Sequence, residues 1–193
     1  MEAFLVSTGV VALAEIGDKT QLLALVLAAR YRKPVPIVVG ILAATLLNHA
    51  LAGTVGALLA RLVDPNVMRW ILGLSFLAMA VWMLIPDKLE EGEELKTPRF
   101  GVFATTLCAF FVVEMGDKTQ IATVALAAKF PQLAAVVAGT TLGMMIANVP
   151  AVLVGDAAAT KLPLRLVHGV CAAVFAVIGV VALMDYTFLR GAS

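Results

Sequence analysis

Residues 15–21 read Glu-Ile-Gly-Asp-Lys-Thr-Gln, and residues 114–120 read Glu-Met-Gly-Asp-Lys-Thr-Gln. The two heptads differ only at Ile16 and Met115, and each lies inside a long apolar stretch. An ionised side chain at membrane depth costs about 2.5–3.5 kcal/mol or more on insertion scales. Glu15, Asp18, Lys19, Glu114, Asp117 and Lys118 can be carried there only if they have partners or a function. The duplicated heptad therefore predicts a fold that brings its two copies into a shared, protein-lined interior, and it makes an ion pathway the leading expectation.

Composition agrees with membrane depth. Hydrophobic residues make up 62% of the 193-residue chain, charged residues 14%, and the mean hydropathy is +1.00. Soluble domains are nearer about 45–50% apolar and 25% charged. An all-α integral membrane protein is expected, with the lipid bilayer as its surroundings. The net charge of +1 gives no footing for nucleic acid. Six apolar segments match or exceed the ~20 residues needed to cross a bilayer: 4–29, 34–60, 67–85, 100–128, 132–158 and 164–188. The first lacks the basic flank of a signal peptide and is expected to be a retained span. Cys108 and Cys171 lie far apart in apolar runs without a C-x-x-C pattern, which fits packing rather than redox or zinc chemistry.

The two halves align at a constant offset of 99 residues without a gap: Phe4 with Phe103, Leu27-Ala28-Ala29 with Leu126-Ala127-Ala128, Gly40 with Gly139, His49 with Asn148, Gly56 with Gly155, and Phe76 with Phe175. This is an internal duplication. Each unit holds three spans, an odd number, so the second must enter the membrane from the opposite side. The predicted fold is six transmembrane helices as two inverted three-helix repeats, residues 1–86 and 100–193, joined by a charged cytoplasmic linker at 87–99. That linker contains Glu90, Glu91, Glu93 and Glu94 and reads as a solvated segment. Inverted repeats place a transport site near the midplane at the repeat interface. Arg30, Arg32, Lys33, Lys88, Lys96, Arg99, Lys161 and Arg165 fall on one side, against Arg61, Arg69, Lys129 and Arg190 on the other. The first side is expected to be cytoplasmic, with both termini periplasmic.

On continuous helices, Glu15, Asp18 and Gln21 would stack along one face, as would Glu114, Asp117 and Gln120. Facing one another, these six residues would offer four carboxylates and two amide oxygens, a donor set suited to hard divalent cations. Four carboxylates and the ammonium groups of Lys19 and Lys118 sum to a formal −2. One divalent ion neutralises the set, and so do two protons. These occupancies exclude each other, which is a physical basis for exchange. The metal is then cargo, and no bound cofactor is expected.

Lys19 and Lys118 follow Glu15 and Glu114 by four residues, placing each to pair with its own acid when metal is absent. Gly17 and Gly116 mark points where the backbone breaks or is closely approached. Asn48, His49 and Asn148 lie mid-span and are secondary candidates for ligation or proton relay. Pro150 is expected to kink its span, and Met144 and Met145 to pack. Asp156 and Asp185 fall near span ends, and Trp70, Trp82 and Tyr186 are expected as interfacial anchors.

The duplicated segment resembles the E-x-G-D-K-[ST] signature of a cation/proton exchanger family within the lysine-exporter superfamily. That family includes eukaryotic Golgi calcium/manganese–proton antiporters and bacterial manganese exporters. The resemblance spans essentially the whole chain, with two motif copies, six spans and a charged central loop. It implies that Glu15, Gly17, Asp18, Lys19 and Thr20, and their counterparts Glu114, Gly116, Asp117, Lys118 and Thr119, take the motif's roles, the acids binding the transported cation. The short length resembles prokaryotic members, which implies manganese efflux across a bacterial inner membrane driven by proton entry. The His49/Asn148 mismatch leaves open whether both halves ligate equally.

Calcium/proton exchange and export of a cationic amino acid are the alternative readings. An intramembrane enzyme is disfavoured, because no membrane-depth Ser–His or Cys–His set accompanies the acids. Whether the chain forms a homo-oligomer is left open.

Overall fold

The computed structural model describes residues 1–85, 101–154 and 164–184. All its helices are α-helices: α1 Glu2–Glu15, α2 Lys19–Tyr31, α3 Pro34–Leu62, α4 Pro65–Trp82, α5 Gly101–Glu114, α6 Lys118–Lys129, α7 Leu133–Val154 and α8 Leu164–Met184. No strand occurs among the described residues. Four helices, α3, α4, α7 and α8, are long and apolar enough to cross a membrane. The linker at 87–99, Asp156, Asp185 and Tyr186 lie outside the described residues.

The first and fourth expected spans are each divided in two. α1 stops at Glu15 and α2 starts at Lys19; α5 stops at Glu114 and α6 starts at Lys118. Gly17 and Gly116 sit in the gaps at φ +83° and +81°, a left-handed conformation that glycine adopts without a Cβ penalty. Asp18 restarts the chain: its side chain accepts from Lys19 N at 2.8 Å, capping α2. Breaking a helix in an apolar interior strands backbone donors that need partners. Gln21 Oε1 accepts from Gly17 N at 2.9 Å, and Gln120 Oε1 accepts from Gly116 N at 2.7 Å. Each heptad thus encodes a helix stop, a left-handed turn and a helix restart.

The half-helices pack across the two copies. α1 lies against α7, α5 against α3, and α4 against α8. At the first crossing Gly139 meets Phe4 and Ser7, a Cβ there falling 2.5 Å from Phe4 O. At the second, Gly40 meets Phe103 and Thr106, a Cβ there falling 2.8 Å from Thr106 Cβ. These are the same positions displaced by 99 residues. Between α4 and α8, Phe76 stacks on its own counterpart, Phe175, with ring centroids 6.1 Å apart. That pair is buried in an apolar cluster with Met68, Leu72 and Met79. α7 continues through Pro150.

Candidate cation site

The two breaks converge. Glu15, Asp18, Glu114, Asp117 and Lys118 are all at most 2% exposed. Glu15, Asp18 and Asp117 each offer a carboxylate oxygen, and these atoms lie within 4.8 Å of one another. Oxygens bound to one calcium ion at ~2.3–2.6 Å stand no more than about twice that length apart, and smaller ions draw them closer. The three acids are therefore close enough to share a cation. Glu15 Oε1 and Asp117 Oδ2 are buried without hydrogen-bond partners among the described residues.

The lysines pair differently from the helical-spacing expectation. Lys19 Nζ lies 3.3 Å from Asp117 Oδ1, and Lys118 Nζ lies 3.6 Å from Asp18 Oδ1. Each lysine serves the aspartate of the opposite copy rather than the glutamate four residues before it. The cause is the left-handed turn at the glycine. Residues 15 and 19 lie on separate helices, so i,i+4 adjacency no longer applies. The same break removes the single-face stacking expected for Glu15, Asp18 and Gln21, and for Glu114, Asp117 and Gln120. The three acids converge through the meeting of the two turns instead.

The remaining sequence candidates have distinct places. Gln21 and Gln120 spend an amide oxygen each on the glycine N–H, and Gln21 Nε2 also donates to Ala147 O at 3.0 Å. Thr20 donates its hydroxyl to Glu15 Oε2. Thr119 is buried in the first turn of α6 and makes no such bond to Glu114 among the described residues. His49 is buried on α3, with neither ring nitrogen hydrogen-bonded among the described residues. Asn148 donates to Met144 O at 3.1 Å and lies 2.9 Å from Met144 Sδ, which ties both residues within α7.

Glu114 stands outside the three-acid group. Thr45 Oγ1 donates to its Oε1 at 2.9 Å, and Asn48 Nδ2 donates to its Oε2 at 3.1 Å. Sequence reasoning missed Thr45. The available signal was helical spacing, since Thr45 lies one turn before Asn48 and shares its face. It also missed His168 on α8, whose Nε2 lies 3.2 Å from Ile16 O in the first break.

Comparison with known proteins adds an independent line. Residues 3–91 and 102–188 match the family model described as "Divalent cation/proton antiporter GDT1". A Vibrio cholerae protein named "Putative manganese exporter" is 52% identical over 176 residues, covering 91% of this chain and 87% of that protein. A GDT1-like protein of Synechocystis is 31% identical over 92% of this chain and 96% of its own length. GDT1-like protein 3 of Oryza sativa is 30% identical over 86% of this chain and 68% of its own length. No solved structure matches.

Proposed function

This chain belongs to the GDT1 family of divalent cation/proton antiporters, and from that premise we propose that it exports manganese from the cytoplasm in exchange for protons. The observation that carries this reading is the convergence of Glu15, Asp18 and Asp117 within 4.8 Å at two helix breaks. With Glu114, Lys118 and the partly exposed Lys19 the set carries a formal −2. In a low-dielectric interior such an imbalance is strongly disfavoured, so the acids hold either a divalent ion or protons. Cation entry displaces the protons, and protons entering from the other side release the cation. Lys19 and Lys118 act as internal counter-charges on the aspartates between these occupancies. Oxygen donors of this kind accept manganese and calcium alike, and the name of the Vibrio cholerae relative favours manganese.

The proposal includes six spans arranged as two inverted repeats, residues 1–86 and 100–193. The first and fourth spans are each formed by a pair of half-helices. Both termini are periplasmic and the linker at 87–99 is cytoplasmic. The matched crossings at Gly40 and Gly139, and the Phe76–Phe175 stack, support a two-fold relation between the repeats. Broken helices at a repeat interface are a recurring way to build a midplane ion site.

The test is metal efflux from proteoliposomes, with manganese, calcium and magnesium in competition and internal pH recorded simultaneously. Manganese movement with counter-flow of protons is expected. Preference for calcium would reassign the cargo. Inhibition by lysine or arginine rather than by metals would favour the cationic amino acid reading, and metal movement without proton flux would overturn antiport.

A further inference from the structure

The two motif copies have the same sequence of charges but different surroundings. Both Glu114 oxygens are held by side chains of α3, Oε1 by Thr45 and Oε2 by Asn48. The Asn48 amide is itself oriented, because its Nδ2 also donates to Phe111 O at 3.1 Å, and a carbonyl can only accept. The amide therefore turns its donor, not its oxygen, toward Glu114. Thr45, Asn48 and Glu114 are each at most 1% exposed, so water does not compete for these bonds. In the other half, the residues 99 positions on from Thr45 and Asn48 are Met144 and Ala147, which offer no hydroxyl and no side-chain amide. Glu15 accepts from its own copy's Thr20 at Oε2, and its Oε1 has no hydrogen-bond partner among the described residues.

We propose that Thr45 and Asn48 are positioning residues that withhold Glu114 from the cation, so that Glu15, Asp18 and Asp117 ligate it while Glu114 acts on it through charge alone. This inference rests on the functional reading above and deepens it. It makes the duplicated site chemically one-sided: the first copy contributes two ligands, the second contributes one. Each Glu114 oxygen keeps a lone pair beyond the bond it accepts, so the hydrogen bonds act by orientation: in a dry interior they hold the carboxylate toward α3, apart from the three acids whose oxygens lie within 4.8 Å of one another.

The test uses manganese binding by the full-length protein in detergent, read by electron paramagnetic resonance of the free ion, and manganese transport in proteoliposomes. Glu114→Gln is sterically neutral, since a glutamine can accept from Asn48 and donate to Thr45 Oγ. Its loss of affinity should be at least about tenfold smaller than that of Glu15→Gln, the margin expected of a lost direct ligand bond over a lost distant charge. Thr45→Val should change the transport KM for manganese by about threefold or more with Vmax little altered, and Thr45→Ser should restore it. In a Glu114→Ala background the same Thr45→Val change should have no effect on KM, as residues acting through one partner are non-additive. Equal losses at Glu15→Gln and Glu114→Gln would overturn this inference alone. So would a Thr45→Val effect that persists without the Glu114 carboxylate. Absence of manganese binding by the unsubstituted protein would overturn the functional reading, and this inference with it.

Discussion

Lys118 Nζ stands 3.6 Å from Asp18 Oδ1, and the two side chains are 3% and 1% exposed. Its counterpart, Lys19, stands 3.3 Å from Asp117 but is 27% exposed. The crossed pairs tie each helix restart to the other, and they differ in access to water. Removing one partner of a buried pair costs about 3–5 kcal/mol, because the other charge is left uncompensated. Lys118→Met should therefore lower the stability of the metal-free protein by about that amount, and Lys19→Met by less, because it leaves the equally buried Asp117 uncompensated but removes a lysine that was itself 27% exposed. Saturating manganese should narrow the gap between Lys118→Met and the unsubstituted protein, because the bound ion supplies beside Asp18 the positive charge that the lysine no longer provides. Thermal unfolding with and without manganese checks this; equal losses at the two lysines would contradict it.

Asp18 has two duties that substitution can separate. It caps α2 through Lys19 N, and it offers an oxygen to the three-acid group. Asn caps a helix about as well as Asp, whereas Ala loses about 1 kcal/mol. Asp18→Asn should retain native helicity and give up manganese binding, and Asp18→Ala should additionally unfold more easily. Circular dichroism alongside metal titration distinguishes the two. Manganese affinity preserved in Asp18→Asn would remove it from the ligand set.

Gly116 isolates the backbone requirement of the break. A Cβ added there meets no atom within 4 Å, so any cost comes from φ +81° alone. Gly116→Ala should destabilise the protein by about 1–2 kcal/mol. Gly116→Asn should cost less, because Asn tolerates the left-handed region. Similar unfolding temperatures for Gly116→Ala and the unsubstituted protein would mean that the turn relaxes.

The matched helix crossings respond unequally to added volume. A methyl at Gly139 would fall 2.5 Å from Phe4 O, whereas one at Gly40 would fall 2.8 Å from Thr106 Cβ and 3.0 Å from Phe103 O, a less severe overlap. Overpacking typically costs about 1–3 kcal/mol. Gly139→Ala should lie at the upper end of that range and Gly40→Ala below it. Their ranking in a detergent unfolding series tests the assignment.

Protons and the divalent ion compete for the same acids in the proposed exchange. Apparent manganese affinity should weaken as pH falls, by at most about two decades per pH unit for a two-proton exchange. Manganese titrations at constant ionic strength over a pH series measure this directly. An affinity independent of pH would separate cation binding from proton binding.

Much of the site was legible in the sequence because its instructions are local. Glu15 and Asp18 read as acids on either side of a glycine that marks a break or a close approach, and the structure makes that glycine a left-handed turn closed by Gln21. What misled was the helical spacing itself. Pairing Lys19 with Glu15, or stacking Gln21 beneath Asp18, assumes a continuous helix, and the same heptad ends that helix at Glu15. Thr45 was overlooked because its spacing from Asn48 marks only a shared face of one span and does not reveal a carboxylate arriving from a segment far along the chain.

The sequence alone determined that the chain is apolar enough for a membrane, that it is duplicated at an offset of 99 residues, and that each copy sets two acids and a base around a glycine within an apolar stretch. These follow from composition, self-similarity and the φ preference of glycine, all of which act over a few residues. Only the tertiary structure decided that Lys19 faces Asp117, that Lys118 faces Asp18, and that Thr45 and Asn48 hold Glu114 apart from the other acids. Those pairings depend on how α3 packs on α5 and how the two turns meet. Packing between distant segments sets them, and no local spacing encodes it.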